Sequence, residues 1–593
     1  MSKRRVAVTA VLLALAAGLS AVPAGASANG PASRQPVPAF GRFDQPQQGF
    51  MPAWTMLRNG TPQEAGLDPA VVQAAQQQEA DWTQNQPGTG HPMFSGEVTM
   101  LVHDGIVVSK QAAGYALRYS DQQGDLLPAN QQIPMRDNTI FDLASLSKLF
   151  TSIVAMQQMQ TGKLDLNATV ASYLPAFASN GKGDITIEQL LTHTSGLPAD
   201  PSPALWQYPT MPDRINAILD TVPQYPAGTT YLYSDLNMLT LQLVLQQITG
   251  ETLDVLVRDG ITAPLGMKDT MYNPPAYLKP RIAAEEYEQG PGEPQRGLVW
   301  GSVHDENAWA MGGVAGHAGV FSTVDDMAIL AQAILNGGTY GGRRILSQES
   351  VTQMETNYNQ AYPGDSHGLG FELDQRWYMG RLDSPFTLGH TGFTGTTIVI
   401  DPVSRSFALQ FSNRVHPTRN WGSTNPARVA ADDGLANAMA VKSPDGGPSW
   451  YSGIGDATTA TLTTKVPASS GPVSLGYDTF VDTEPGYDLV HLQTSTDGTN
   501  WTTVPITATG KGAPSGTVTV LSGGDRTWWH VTAQLPASSG NLMLRWQYVT
   551  DPEYTGRGVN VAGVRLSDST GTLLNGDHDP SAFTGVNWAL SDR

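Results

Sequence analysis

The stretch Phe141–Phe150, with the sequence FDLASLSKLF, decides how the rest of this chain is interpreted. From Leu146 onward, apolar residues recur at i, i+3, i+4, i+7 and i+8, which predicts an amphipathic helix. Ser145 precedes Lys148 by three residues, so the two side chains are helix neighbours, about 5 to 6 Å apart at Cβ. The pair belongs either to the solvated face of an ordinary helix or to a hydrolase, in which a serine needs an activating base. The spacing alone leaves both interpretations open.

Composition excludes several classes of function. The 593 residues carry a formal net charge of −19, which argues against binding nucleic acid or an anionic membrane, because both require a positive patch. The absence of cysteine excludes disulfides, thiolate nucleophiles and metals bound by cysteine. A chain of this length is expected to form two or more domains.

The N-terminus carries the pattern of an export signal. Lys3, Arg4 and Arg5 precede an apolar run over residues 6–19, and a small-residue cleavage site follows at 26–28. Residues 1–28 are therefore predicted to be a signal peptide, and the mature chain is expected to be secreted and extracellular. The run is shorter than a membrane span, and no later stretch is apolar for long enough, so no membrane span is expected after cleavage.

The remaining sequence divides by composition into four parts. Residues 29–56 are rich in proline, glutamine, glycine and alanine, which predicts a disordered leader. Residues 57–442 mix helical and strand patterns, which predicts an α/β domain. Residues 443–448 read as a linker because of their glycine and proline content. Residues 449–593 contain short strand-like runs and turn signals, which predict an all-β sandwich.

Particular elements within the α/β part can be predicted. Asp235–Thr249 has a helical pattern and is followed by Gly250, a common signal for a helix end. Residues 96–108 and 396–411 have strand patterns, each interrupted by a turn signal at Asp104-Gly105 or Asp401-Pro402. Strands at both ends of the domain and helices between them indicate a sheet with a helical part.

Two further motifs give the serine and lysine their context. Tyr233-Ser234-Asp235 lies at the start of a predicted helix, and His390-Thr391-Gly392 lies just before a predicted strand. With Ser145-Leu146-Ser147-Lys148, their order resembles the S-x-x-K, Y-x-N and K-T-G motifs of the serine β-lactamase and penicillin-binding protein superfamily. The resemblance covers residues 58–440. It implies an antiparallel sheet flanked by helices, with a helical subdomain.

The second motif contains a tyrosine, and in this it resembles the motif of the branch that contains class C β-lactamases, D,D-peptidases and esterases. The stretch 303–308, VHDENA, together with the glycine-rich stretch 313–323, resembles penicillin-binding protein 4B and its relatives. The resemblance implies that Ser145 forms an acyl-enzyme and that Lys148 and Tyr233 take and return its proton. It also implies an oxyanion hole made by the backbone N–H groups of Ser145 and Phe393.

The third motif departs from the family pattern. His390 stands where lysine is usual, although some secreted D,D-peptidases and esterases of the superfamily also have histidine there. The resemblance implies that His390, Thr391 and Gly392 contact the carboxylate or leaving group of the substrate. A histidine in this place predicts carboxylate recognition that depends on pH around 6 to 7, and it argues against efficient β-lactam hydrolysis.

The second motif also departs from the family pattern. Asp235 stands where asparagine is usual. An ionised Asp235 near Lys148 would keep the lysine protonated and shift the work of the base towards Tyr233. Alternatively, Asp235 points away and Asn237 replaces the missing amide. Both residues are predicted to lie at the substrate-binding site.

Histidines outside the three motifs carry weaker signals. His193 fits a structural role in a helix-to-turn segment. His304 begins a His-Asp-Glu sequence, but its neighbours lack the i, i+4 spacing of a zinc-binding helix. A contact with substrate or a role in structuring its loop is expected for His304, and His317 has the same status. No metal is expected in the catalytic domain, and no cofactor is required for acyl transfer through a serine.

The C-terminal part offers a second, weaker resemblance. Residues 449–568 resemble the jelly-roll module of immune-inhibitor-A-type peptidases. Asp482, Glu484 and Asp488 lie near predicted strand ends, where clustered carboxylates would suit structural calcium, although solvated turn carboxylates are the competing interpretation. A glycan or surface ligand is the expected partner of this part.

Together these observations predict a secreted serine acyl-hydrolase with a β-sandwich attached. The expected substrate is an amide or ester, with cell-wall stem peptides ending in D-amino acids favoured, as in a D,D-carboxypeptidase. A small-ester esterase and a β-lactamase share the mechanism and remain alternatives. The alternative from another class is a non-catalytic protein that senses penicillin or binds a surface.

Overall fold

The structure is a computed structural model in which residues 41–592 are described. The predicted signal peptide, 1–28, and residues 29–40 of the predicted leader lie outside the described residues. Within residues 41–592, no helix combines the length and the apolarity that crossing a bilayer requires.

The described part of the leader is ordered, so the prediction of disorder over residues 29–56 is wrong for residues 41–56. Phe43 and Met51 are buried. The backbone N–H of Phe43 donates to the carbonyl of Ala440 (2.8 Å), and that of Met51 donates to the carbonyl of Leu335 (2.7 Å). Polar composition suggested too little apolar surface for folding, but these two side chains are buried against distant parts of the chain.

An eight-stranded sheet forms the centre of the α/β domain. Its inner strands are buried along their whole length, because helices cover both faces. Adjacent residues point to opposite faces: Leu101 and Val399 pack with one apolar cluster, and Met100 and Ile398 with the other. In sheet order the strands are Arg58–Asn59, Ile106–Leu117, Gly96–His103, Ser406–Ser412, Thr396–Asp401, Leu388–Thr391 and Glu372–Leu373, with Ile133–Pro134 paired to Ile106–Leu117.

Helices cover the sheet and form a helical part between its strands. Asp235–Thr249 has the predicted bounds, and Gly250 ends it with φ at 76°, a left-handed conformation that glycine adopts without strain. Ser147–Gln160 is buried over its first ten residues on all sides, so Lys148 does not lie on a solvated face. The other helices are Pro69–Asp81, Val170–Tyr173, Ile187–Leu191, Met211–Leu219, Leu253–Val257, Ala263–Leu265, Glu306–Ala310, Val324–Leu335, Gln348–Glu355, Arg376–Met379 and Asn425–Ala438.

Short strand pairs connect the motif-bearing segments. Phe141–Asp142 and Met271–Tyr272 both pair with Val320–Ser322, which joins the strand before Ser145 to the glycine-rich stretch. The remaining small pairs are Thr339–Tyr340 with Arg343–Arg344, and Tyr287–Glu288 with Gly297–Leu298.

The C-terminal part is a β-sandwich, as predicted. Residues from both of its sheets form one apolar cluster, which includes Trp529 and Trp546. One sheet contains Thr517–Val518, Ile506–Thr509, Trp528–Leu535, Val473–Asp482, Gly558–Asp568, Ser449–Tyr451 and Ala589–Ser591, with Gly571–Asn575 at its side; the other contains Thr502–Thr503, Leu489–Ser495, Met543–Val549, Thr459–Lys465 and Phe583–Val586. The resemblance to a jelly-roll module stays a prediction.

The sandwich is joined to the α/β domain by buried polar contacts. Arg526 pairs with Asp401 at 2.5 Å, and both side chains are almost fully buried. Arg526 also lies against the ring of Phe43, which in turn contacts Phe480 edge-on. Trp528 donates from Nε1 to Asp44 at 2.9 Å. The N-terminal segment, the α/β domain and the sandwich therefore share one packed junction.

Candidate active site

Ser145 lies in a constrained turn at the start of its helix. Residues 144–146 form one turn of 3₁₀-helix that continues into Ser147–Gln160. Ala144 has φ at 47°, a left-handed conformation that is uncommon for a residue with a Cβ and occurs often at functional sites. The buried carboxylate of Asp142 accepts from the N–H of Ala144 (2.9 Å) and from the N–H of His304 (2.6 Å). The Asp142 carboxylate therefore connects the turn that carries Ser145 to the backbone at His304.

Lys148 is the centre of the polar contacts around Ser145. Its Nζ donates to Ser145 Oγ at 2.9 Å and to the carbonyl of His317 at 3.2 Å. The same Nζ lies 2.7 Å from a carboxylate oxygen of Asp235 and 4.7 Å from the ring centroid of Tyr233. The first and second motifs therefore meet at one ammonium group, as the spacing and the resemblance predicted.

The charge state of this pair follows from its surroundings. Burial disfavours the ammonium of Lys148, but the Asp235 carboxylate, followed by Tyr233, raises the Lys148 pKa above its ordinary value. Burial raises the pKa of Tyr233 to about 12, although the positive charge of Lys148 acts to lower it. At neutral pH both groups therefore carry their protons in the resting site.

The structure resolves the two alternatives for the second motif. Asp235 pairs with Lys148, whereas Asn237 points into the protein and is fully buried. Its Oδ1 accepts from Ser195 Oγ (2.5 Å), and its Nδ2 donates to His193 Nδ1 (3.1 Å). The predicted role of Asn237 in substrate binding is therefore wrong, because both ends of its amide are used within the fold. His193 also accepts from the N–H of Ser234, which confirms its structural role.

The third motif lies against the first. The hydroxyl of Thr394 donates to the carbonyl of Asp142 (2.7 Å), and that of Thr396 donates to the carbonyl of Leu143 (2.9 Å). A Cβ on Gly392 would lie 2.5 Å from the same Leu143 oxygen, so only glycine permits this approach. Ser145, Tyr233, His390, Thr391, Gly392 and Phe393 all line one cleft of about 580 Å³.

His390 is neutral in this cleft. Burial, followed by the charge of Lys148, lowers its pKa to about 3. Its Nδ1 donates to the carbonyl of Thr391 at 3.0 Å, so Nε2 keeps its lone pair, and Nε2 has no hydrogen-bond partner within the described chain. His390 is therefore not the source of the predicted change of recognition around pH 6 to 7, because it can accept a hydrogen bond but does not supply a charge.

The predicted contact between His304 and substrate is also wrong. His304 is buried, and its Nε2 donates to Glu286 at 2.6 Å. Its ring stacks on Phe393, with centroids 5.7 Å apart. His304 therefore supports the residue whose N–H was assigned to the oxyanion hole, and lies one layer behind the cleft.

Three arginines in the cleft were not predicted from the sequence, because they belong to no motif. Arg428 donates to the carbonyl of Gly392 and to Asn425 Oδ1, both at 3.0 Å. Arg414 donates to the carbonyl of Phe393 (2.9 Å) and to that of Gly422 (2.6 Å). Arg419 pairs with the carboxylates of Glu286 and Glu306. The cleft is therefore cationic beside the third motif.

Glu372, also missed by the sequence analysis, faces the same cleft. It pairs with Gly389 in the sheet register, next to His390. Burial raises the pKa of Glu372 to about 7, and its Oε2 is without a hydrogen-bond partner within residues 41–592. Glu372 thus changes charge near neutral pH beside the predicted substrate.

Two groups in the α/β domain bring possible metal ligands together, although no metal is expected there from sequence. Their ligand atoms lie within 4.8 Å of one another; the groups are Asp235, Asp305 and His317, and Glu286, Glu288 and His304. Lys148 already neutralises the first group, and Arg419 and Arg296 pair with the glutamates of the second. In both, the place of a metal cation is taken by side-chain cations.

The predicted calcium ligands do not form such a group within the described chain. Asp482 accepts from the N–H of Arg557 (2.7 Å). Asp488 accepts from the N–H groups of Asp551 (3.2 Å) and Glu484 (3.4 Å). The carboxylates of Asp482 and Asp488 therefore satisfy the local backbone, and the geometry does not support calcium binding by these residues together with Glu484.

Comparisons with known proteins agree with this fold and motif arrangement. The family model described as "Beta-lactamase" matches residues 80–433. A relative from Salmonella typhimurium, named "Putative D-alanyl-D-alanine carboxypeptidase", is 34% identical over 413 residues, which cover 64% of this chain and 90% of the relative. A protein of the same name from Salmonella paratyphi B is also 34% identical, with the same coverage.

Two solved structures are similar over the same part. EstCE1, a hydrolase with promiscuous acyltransferase activity, is 21% identical, with a TM-score of 0.48, and the match covers 62% of this chain and 98% of that one. A penicillin-binding protein homolog from Caulobacter crescentus is 21% identical, with a TM-score of 0.48, over 62% of this chain and 97% of that one. The family match, which spans more than half of the sequence, carries the assignment: this chain belongs to the β-lactamase family of serine hydrolases.

Proposed function

We propose that the protein is a D,D-carboxypeptidase that removes the C-terminal D-amino acid from cell-wall stem peptides through a Ser145 acyl-enzyme. The observation that carries the proposal is the pair of arginines, Arg414 and Arg428, beside the third motif. Both are held by carbonyl or amide oxygens, and within residues 41–592 neither forms an ion pair with a carboxylate.

The electrostatics of these arginines support an anionic ligand. Burial, followed by the charge of Arg414, lowers the pKa of Arg428 to about 10, so Arg428 remains charged at neutral pH. Arg414 and Arg428 repel one another, and Glu372, the cleft carboxyl group that acts on Arg428, has a pKa of about 7 and is only partly ionised at neutral pH. A bound carboxylate would therefore stabilise both arginines. Arginine also binds carboxylates through two parallel hydrogen bonds. A peptide ending in a free carboxylate fits this cleft, with His390 accepting a hydrogen bond beside it.

The chemistry at Ser145 then proceeds in two steps. Ser145 Oγ attacks the carbonyl carbon, the C–N bond breaks, and the leaving amine receives the proton that came from Ser145. The N–H groups of Ser145 and Phe393 stabilise the oxyanion. Water hydrolyses the ester and restores the serine. Because Lys148 and Tyr233 both carry their protons in the resting site, the pair must first release one proton to solvent. Asp235 keeps the remaining proton on Lys148, so the Tyr233 phenolate takes the proton from Ser145 and passes it to the leaving amine.

The test uses one peptide in two forms. An acetylated stem peptide ending in D-Ala-D-Ala is compared with the same peptide carrying a C-terminal amide. We expect release of the terminal residue from the free acid, much slower release from the amide, and none with Ser145→Ala. The proposal is wrong if wild-type protein treats both peptides alike or cleaves neither.

The arginines are tested separately. Arg428→Gln and Arg414→Gln are each expected to raise KM for the free acid by roughly 10- to 100-fold, the usual worth of a hydrogen bond to a charged group, without changing KM for the amide. Arg565→Gln, an exposed arginine on the sandwich, is the matched control and should behave as wild type.

An esterase acting on small neutral esters is the second candidate. It is favoured by the neutral state of His390 and by Phe393, whose exposed ring lies at the cleft. Rapid hydrolysis of an activated neutral ester, with no cleavage of the peptide acid, would support it. If neither substrate nor a penicillin is turned over while penicillin still labels Ser145, the protein is a sensor. Export, predicted from residues 1–28, would bring the proposed enzyme to the cell wall.

A further inference from the structure

The segments His304-Asp305-Glu306 and Gly316-His317-Ala318 meet behind the catalytic lysine. His317 donates from Nε2 to Asp305 Oδ1 at 2.8 Å. One ring nitrogen of His317, one carboxylate oxygen of Asp305 and one of Asp235 lie within 4.8 Å of one another. Asp235 in turn lies 2.7 Å from Lys148 Nζ. His317 therefore lies between two pairs, bonded to Asp305 and within 4.8 Å of the Asp235 carboxylate that pairs with Lys148.

This group is built into rigid structure. Asp305 is the N-cap of helix Glu306–Ala310, where its Oδ1 accepts from the N–H of Ala308 at 2.7 Å. Gly316 packs so closely on the carbonyl of Met238 that an added Cβ would lie 2.1 Å from that oxygen. The carbonyl of His317 itself accepts from Lys148. The backbone at His317 is therefore fixed beside Lys148, and the imidazole is held by its hydrogen bond to Asp305.

Two atoms in the group have no hydrogen-bond partner within residues 41–592, and one of them, Asp235 Oδ1, forms the ion pair with Lys148. His317 is about 1% exposed, and its Nδ1 has no hydrogen-bond partner within residues 41–592. A buried ring nitrogen without a partner is costly, because most buried polar side-chain atoms in folded proteins are hydrogen-bonded. Placed beside Asp235, the imidazolium form of His317 would share that carboxylate with Lys148.

We propose that the His317–Asp305 pair is a positioning element that shares the Asp235 carboxylate with Lys148, and so limits how strongly Asp235 keeps Lys148 protonated. The inference rests on the proposed catalytic function of Ser145 and deepens it. With the asparagine usual in this motif, the lysine would have no carboxylate to share. With Asp235, a second cation is needed to return basicity to the Lys148–Tyr233 pair.

The charges around His317 support this arrangement. The titratable groups that face it are Asp305, Asp235, Lys148 and Asp200. Burial disfavours its charged form, but Asp305 and then Asp235 raise the His317 pKa above its ordinary value, while Lys148 acts to lower it. Loss of the imidazolium charge would leave Asp235 wholly to Lys148, raise the Lys148 pKa further and move activity to higher pH.

The first test is a pH–rate profile of Ser145 acylation by an activated ester. His317→Gln keeps an N–H for Asp305 but removes the charge. We expect the part of the profile in which the rate increases with pH to move to higher pH, and the rate at pH 7.5 to fall by about tenfold. The change should fall on kcat, with KM nearly unchanged. His530→Gln, which alters an equivalent histidine–aspartate pair of 2.8 Å on the sandwich, is the matched control.

Epistasis distinguishes positioning from general damage. In an Asp235→Asn background, His317→Gln should have no further effect on the profile, because the carboxylate that links His317 to Lys148 is gone. Asp305→Asn keeps the helix cap and should resemble His317→Gln. The proposal is overturned if His317→Gln has a wild-type profile, or if its effect is equally large with Asn at 235.

A direct measurement separates this proposal from the proposed function. Histidine NMR of the whole protein is used to follow the titration of His317, assigned with the His317→Gln variant. Asp235→Asn is expected to lower the His317 midpoint by about one pH unit or more, because it removes a nearby negative charge. An unchanged midpoint overturns the proposed link between His317 and Asp235, even if Ser145 is reactive. A shifted midpoint in a protein that cleaves no substrate retains the pair and refutes the proposed function alone.

Discussion

Two buried pairs of a cation and a carboxylate hold different regions of this molecule together. Lys148 and Asp235 meet at 2.7 Å in the cleft, and Arg526 and Asp401 meet at 2.5 Å where the sandwich joins the α/β domain. Their contacts differ more than their geometry. Arg526 also donates from Nη2 to the backbone carbonyls of Leu382 and Asp383, whereas Lys148 donates to the hydroxyl of Ser145.

The choice of cation explains the difference. Arginine stays protonated in proteins, so Arg526 can hold two domains together at any ordinary pH. Lysine can exchange its proton when its surroundings change, and Lys148 lies beside a nucleophile and a phenol. A buried ion pair therefore indicates docking when its cation is arginine and its other partners are carbonyls. It indicates chemistry when the cation is lysine and its partner is a hydroxyl.

The largest effect is expected from removing the hydroxyl that distinguishes the Lys148 pair. Ser145→Ala should lower peptide or ester hydrolysis by roughly 10⁴-fold or more, because it removes the group that forms the acyl-enzyme. The melting temperature should stay close to that of the wild type. D-alanine release and calorimetry measure the two quantities, and activity near the wild-type level would show that another residue is the nucleophile.

The next largest effect is expected at the junction. Asp401→Asn should lower the free energy of unfolding by about 3 to 5 kcal/mol, because it leaves the Arg526 charge buried without a counterion. The kcat of the folded fraction should not change. Denaturant unfolding measures the loss, and the double variant Arg526→Met with Asp401→Leu should recover most of it. A loss of kcat with unchanged stability would contradict a docking role.

A smaller effect is expected from breaking the Lys148 pair. Asp235→Asn removes the charge that raises the Lys148 pKa. The pH range over which the acylation rate increases should therefore move to lower pH, by about one unit or more. The sign follows because Asp235 raises the pKa of both Lys148 and Tyr233, so without this carboxylate the pair releases its first proton at lower pH. The pH dependence of kcat/KM measures this, with Asp401→Asn as the matched control. An unmoved pH range would show that neither Lys148 nor its pairing controls the proton transfer.

The smallest effect is expected at His390, a buried base without a carboxylate partner. Its pKa is lowered to about 3, so it should be neutral from pH 5 to 8. His390→Gln should therefore not alter how the preference for a free over an amidated C-terminus depends on pH, and any change near pH 7 should come from Glu372. The ratio of the two kcat/KM values measures the preference. An increase below pH 7 that disappears in His390→Gln would contradict the assignment of carboxylate binding to the arginines.

Local sequence patterns and the order of the motifs predicted much of the fold and the centre of the active site. Asp235–Thr249 and its glycine end follow from helical period and a C-terminal signal that act within one turn. The meeting of Ser145, Lys148 and Tyr233 could be predicted because three motifs in a fixed order are far more specific than one motif. The predicted β-sandwich followed from short alternating runs and turn residues, which are also local signals.

Other features depend on partners that are far away in the sequence. The leader segment holding Phe43 reads as disordered, yet Phe43 is buried against residues some 400 positions later. Asn237 and His304 are polar residues inside motifs, and only the packing shows that their side chains turn away from the cleft. Arg428 lies in a helix without a motif, so nothing local marks it as part of the site.

The sequence by itself therefore determined the family, the nucleophile candidate and the two-part architecture, because these depend on short-range patterns and on the order of motifs along the chain. The tertiary structure decided which charges meet. It paired Asp235 with Lys148 and His317 with Asp305, and kept His390 neutral. Beside His390 it placed Arg414 and Arg428, which form no ion pair with a carboxylate within residues 41–592. Burial and distance set charge and basicity, and both arise only when distant segments of the chain are folded together.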